Sequence, residues 1–110
     1  MRAKADVEAG ICGFRTTAYA TSKDQQHVVL DIQTDCEKIQ RLSLLLKEAG
    51  SIDAYQEINP AGESIILANV RSCLKGCCAG CAVPVGIFKA MQVAAGLALP
   101  KEITITMTKE

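Results

Sequence analysis

The sequence predicts a single α+β domain: a mostly antiparallel sheet of about four strands with two to three helices packed on one face. Three observations predict it. Four segments, at 2–8, 14–21, 27–34 and 102–108, carry the two-residue alternation or the β-branched enrichment of strands. Three others, opening near Thr34, Ser64 and Val83, carry apolar residues at helical spacing. The 110 residues, 49% of them hydrophobic, suffice for one core that buries about 60 to 70% of the unfolded surface, and no repeat, linker or low-complexity segment divides them.

In chain order, Ala3, Ala5 and Val7 alternate with Lys4, Asp6 and Glu8, the pattern of a half-buried strand from Arg2 to Glu8. "GICG" at 10–13 sets Cys12 between glycines, where the backbone can turn tightly. A second strand from Phe14 to Thr21, a polar turn at 22–26 and a third strand from His27 to Thr34 complete a hairpin. Ile39, Leu42, Leu45, Leu46 and Ala49 then share one helical face, with Gly50 as terminator. Thr34 and Glu37 match a capping box and Asp35 competes for the cap, so Cys36 is expected in the first turn, where free amides and the helix dipole favour a thiolate.

Residues 51–63 predict a loop, with at most a short strand and a turn at Asn59-Pro60-Ala61-Gly62. Ile66, Val70, Cys73 and Leu74 form a helical stripe from Ser64, interrupted at Gly76. A buried helix opens at Val83-Pro84 and runs to about Ala95, with Lys89 and Gln92 its only polar residues. Ile103, Ile105 and Met107 alternate with Thr104, Thr106 and Thr108, the clearest strand pattern in the chain.

Composition removes several functions. Twelve basic and twelve acidic residues give zero net charge, and Phe14, Tyr19, Tyr55 and Phe88 are the only aromatics, so the charge and stacking platforms of a nucleic-acid binder are missing. Charges at Arg2, Lys4, Asp6 and Glu8 interrupt any signal-peptide core, and no membrane span is expected. The expected setting is a reducing cytoplasm, where cysteines persist as free thiols, metal ligands or catalytic groups. The expected partner is another protein or a second copy of the chain, with neither nucleic acid nor membrane. A Gly-rich phosphate loop, a serine elbow and a paired acid–base couple are all absent; His27, the only histidine, reads as a hairpin surface residue, and no catalytic residue is assigned.

What remains is six cysteines, four of them between 73 and 81. Cys78-Ala79-Gly80-Cys81 is a C-x-x-C, the shortest spacing at which two thiolates readily chelate one metal through a tight turn. Cys12 and Cys36, each at the end of a regular element, are the candidates to complete four ligands. The leading expectation is an iron–sulfur cluster or a zinc ion on Cys12, Cys36, Cys78 and Cys81, with Cys77 as an alternative ligand. Iron and zinc both accept four thiolates, so the sequence does not separate them. A thiol–disulfide redox protein using Cys78 and Cys81 is the second reading, although here the C-x-x-C follows a helix instead of a parallel strand. A metal-free interaction domain with buried thiols is the third. Cys73, on an apolar helix face, reads as core.

"GICGF" before a strand, "TDCEKI" opening a helix and a cysteine cluster ahead of the last long helix resemble the landmarks of NifU/IscU-like iron–sulfur scaffold domains. Residues 10–50 also look like the small TSCPD domain appended to some ribonucleotide reductases. The whole chain, with its ending "CAVPVGIFKAMQVAAGLALP", resembles a bacterial and archaeal family of small cysteine-rich proteins of unknown function. The scaffold resemblance implies that Cys12, Cys36 and one of Cys77, Cys78 or Cys81 hold a nascent cluster.

Overall fold

The computed structural model describes residues 1–59 and 61–110. Strands β1 (Arg2–Glu8), β2 (Arg15–Ser22), β3 (His27–Thr34) and β4 (Ile52–Asp53) form one antiparallel sheet in that order. Helices α1 (Glu37–Glu48), α2 (Ala54–Ile58), α3 (Ile65–Cys73) and α4 (Val83–Ala94) complete an α+β domain, with a 3-10 turn at Gly76–Gly80 between the last two.

The alternation read in the sequence decides which face of the sheet is covered. Thr16, Ala18, Ala20 and Ser22 of β2 and Val28, Leu30 and Ile32 of β3 are buried. On the other face Lys4 pairs with Asp6 and Arg15 with Glu8, and the Arg2 guanidinium lies 4.5 Å from the Tyr19 ring centroid. Helix α1 packs on β3, α4 on β1 and β2, and α3 contacts both helices. Ile39, Leu42 and Leu46 of α1, Ile66 of α3 and Ile87 and Met91 of α4 are fully buried, each contributing about 1.5–3 kcal/mol.

The alanines under α4 let it come close. A Cβ built on Gly86 would stand 2.5 Å from Val7 Cγ2, so only glycine fits where this helix crosses β1. At the other end of α4, Gly96 lies against Gln25 in the β2–β3 turn. The helix therefore starts at the β1–β2 end of the sheet and finishes at the opposite end.

Several expectations are corrected. Residues 102–108 are not a strand: 99–110 adopt no regular structure, because a strand exists only through its ladder and no strand of this chain pairs with them among the described residues. The fourth strand is β4, and the segment read as loop also contains α2. That helix is short, with Asp53 as N-cap accepting from the Tyr55 and Gln56 amides. It delivers Glu57, 2% exposed, to the start of α3, where its carboxylate accepts from Ser64 Oγ and the Ile65 and Ile66 amides. Among the described residues the three expected helices are present as α1, α3 and α4, and the short α2 is a fourth. The turn expected at 59–62 includes Pro60, which lies outside the described residues. The helix after β3 begins with Cys36 as N-cap, because the Thr34 hydroxyl, expected to cap it, accepts from the Cys36 amide and shares a 2.7 Å hydrogen bond with Thr16. Finally, the 19 residues 76–94, which take in the 3-10 turn and α4, are long and apolar enough to cross a membrane by length and composition alone, contrary to the expectation of no such stretch. Their buried side chains, among them Val83, Ile87 and Met91, belong to the core of this domain.

The β2–β3 turn is organised by Asp24, whose carboxylate accepts from the Gln26 and His27 amides and lies 2.7 Å from His27 Nδ1. The hydrogen bond to His27 holds Asp24 below the usual carboxylate range, and the same bond raises His27 above its ordinary 6.5. The His27 contribution is fully present below pH 6.5 and fades as pH rises through the raised value; that of Asp24 is present above 3.8 and fades as pH falls through its lowered one.

Two measurements check this packing. Gly86→Ala should destabilise the protein by about 1–3 kcal/mol in urea unfolding, and Val7→Ala in the same chain should recover part of that loss, as coupled neighbours do. An NMR titration of the His27 ring should give a pKa above 6.5, falling back toward about 6.5 in Asp24→Asn.

Candidate metal centre

The sheet register brings the cysteine-bearing segments to one end. Glu8 pairs with Arg15 and Thr16 with Thr34, so the β1–β2 turn and the end of β3 lie side by side. Cys12 occupies that turn, whose backbone takes positive φ at Gly10 (95°) and Gly13 (75°), the conformation for which glycine is needed. Cys36 follows β3 directly, as the N-cap of α1. Helix α4 starts at the same end, and Cys81 stands two residues before Val83, its first residue. The 3-10 turn with Cys77 and Cys78 is tied there as well: Lys38 Nζ in the first turn of α1 donates to the Lys75 carbonyl at 3.4 Å.

Helix capping separates the two short helices from the two long ones. Helices α2 and α3 have oxygen caps, Asp53 and Ser64. Neither α1 nor α4 has a side-chain cap hydrogen bond from its N-cap residue, Cys36 or Ala82. At α4 the Val83 amide instead points to Cys81 Sγ at 3.5 Å. An N–H donor at a helix start stabilises negative charge on sulfur, so both long helices open beside a cysteine.

The six cysteines are all free thiols but differ in surroundings. Cys73 is buried, as its place on the α3 stripe predicts. Cys12 and Cys77 are exposed, whereas Cys36, Cys78 and Cys81 are half-buried and pack against the core. Burial pushes the Cys81 thiol up; the Val83 amide acts against that; and negative charge on Cys12, Cys36 and Cys78 raises it further. Cys12, Cys36 and Cys78 are thus each within electrostatic reach of Cys81. They are not drawn into a ligand sphere: among the described residues, no three His, Cys, Asp or Glu side chains form a group that could hold a metal ion. Electrostatic reach is several times longer than a metal–sulfur bond of about 2.3 Å, so the two facts are compatible.

The sequence model of a family of unknown function, DUF6951, matches residues 3–107. The chain belongs to this family. The DUF6951 match takes in all six cysteines and every strand except the first residue of β1. No curated protein and no solved structure matches the chain, so neither a NifU/IscU-like scaffold nor a TSCPD domain is among its relatives by these comparisons.

Proposed function

We propose that the protein binds one iron–sulfur cluster or zinc ion through Cys12, Cys36, Cys78 and Cys81. The observation that carries this reading is that the strand register and the starts of α1 and α4 bring three chain segments, bearing Cys12, Cys36 and the Cys78/Cys81 pair, to one end of the sheet. As thiolates they repel one another, and a cation among them turns that repulsion into attraction. Closing the sphere requires movement of the 10–13 turn and of the 76–81 segment, which contain glycines at positive φ at positions 10, 13 and 76.

Cys78 is favoured over Cys77 because it packs against the core beside Cys36 and Cys81 while Cys77 is exposed. In this reading the protein works in the reducing cytoplasm as a cluster carrier, an electron-transfer protein or a structural module for another protein.

Metal analysis and a visible spectrum of anaerobically purified protein test the proposal. A cluster gives brown protein absorbing near about 400 nm, and zinc gives colourless protein with one ion per chain. Cys36→Ser and Cys81→Ser should each lose most of the metal, while Cys77→Ser retains it. Metal-free protein whose thiols titrate alike with and without added iron or zinc would contradict the reading, as would full metal content in both ligand variants.

A further inference from the structure

Strand β1 is an edge of the sheet: its seven residues pair with β2 on one side and with nothing on the other among the described residues. A free edge is a template for another strand. Here the template has a roof, because α4 overhangs it. Val85, Lys89 and Val93 on the outer side of that helix, all seven residues of β1 and the segment 98–105 line one open cleft of about 1200 Å³. Ala3, Ala5 and Val7 face α4 and are only half-buried, so the floor beneath the helix is apolar and incomplete.

The chain also carries a strand without a sheet. Ile103, Ile105 and Met107 alternate with threonines, yet they are 54, 67 and 87% exposed, and Leu99 ahead of them is 90% exposed. The molecule measures 45 × 27 × 26 Å. Strands of eight residues and helices of twelve span about 26 and 18 Å, so the long axis exceeds what the packed body fills. Residues 98–105 of the same chain border the cleft on its outer side, yet among the described residues they make no ladder with β1 and leave its edge unpaired.

We propose that the protein forms a two-fold dimer in which residues 102–107 of each chain add as a fifth strand to the β1 edge of the other. Pairing there puts Ile103, Ile105 and Met107 beside Ala3, Ala5 and Val7 under Val85 and Val93, and the threonines beside Lys4, Asp6 and Glu8 on the solvent face. The ladder supplies the main-chain hydrogen bonds and the roofed cleft accepts the alternate side chains. Two-fold symmetry satisfies both edges and both segments at once and closes the assembly. The cysteines lie at the sheet end and take no part, so this inference stands apart from the metal proposal.

Light scattering with amide hydrogen exchange tests it on the full chain. The expected mass is that of two 11.7 kDa chains, with slowed exchange at 102–107 and along β1. The double substitution Ile103→Lys, Ile105→Lys should halve the mass and abolish the protection at 102–107. Both positions are exposed in the single chain, so its circular dichroism should be unchanged. A single-chain mass for the natural sequence at every concentration, with or without protection at 102–107, overturns the proposal; so does a two-chain mass that survives the double substitution.

Discussion

Helix α4 can lie on β1 only because position 86 has no side chain, and the placement of the cysteines follows from that contact. With Gly86 over Val7, the helix must start near the β1–β2 turn, which carries Cys81 toward Cys12. The antiparallel register then brings the end of β3, and with it Cys36, to the same side. A side chain at position 86 would have to displace the Val7 side chain or the helix itself. Core packing and site geometry therefore share one close approach.

The same sheet end is where the two long helices leave their first amides without an oxygen cap. Short helices α2 and α3 are secured by Asp53, Ser64 and the buried Glu57, and they stiffen the far side of the domain. At α1 the N-cap position is Cys36, whose side chain makes no cap hydrogen bond, and at α4 the Val83 amide faces Cys81 Sγ. Polar capping and thiol chemistry are divided between the two ends of the chain's helical layer. This division explains why the end with the cysteines has glycine-rich, adaptable turns while the remaining helix starts are fixed.

Much of this was legible in the sequence. The period-two runs gave β1 and β3 to the residue, and the glycines at 50, 76 and 96 marked helix limits because each adopts positive φ there. The order of Cys12, Cys36 and the C-x-x-C pointed to a meeting of sequence-distant segments. Other features were hidden for physical reasons. Helix α2 is a single turn and a half, too short to show a period. Gly86 looked like one more small residue inside an apolar helix; its importance depends on Val7, about eighty residues earlier, which local pattern cannot reveal. Residues 102–108 show the converse. Their alternation records a preference for a ladder, and whether a ladder forms depends on an edge that the segment must reach.

The account turns on whether Cys12, Cys36, Cys78 and Cys81 act as one group. Alkylation of the native protein followed by mass spectrometry, with and without prior removal of metal by a chelator, reads this residue by residue. The prediction is that those four are protected together in the metal-loaded protein and released together by the chelator, with Cys77 modified throughout. Independent modification of Cys12 or Cys36, unaffected by metal while Cys78 and Cys81 respond, would contradict it.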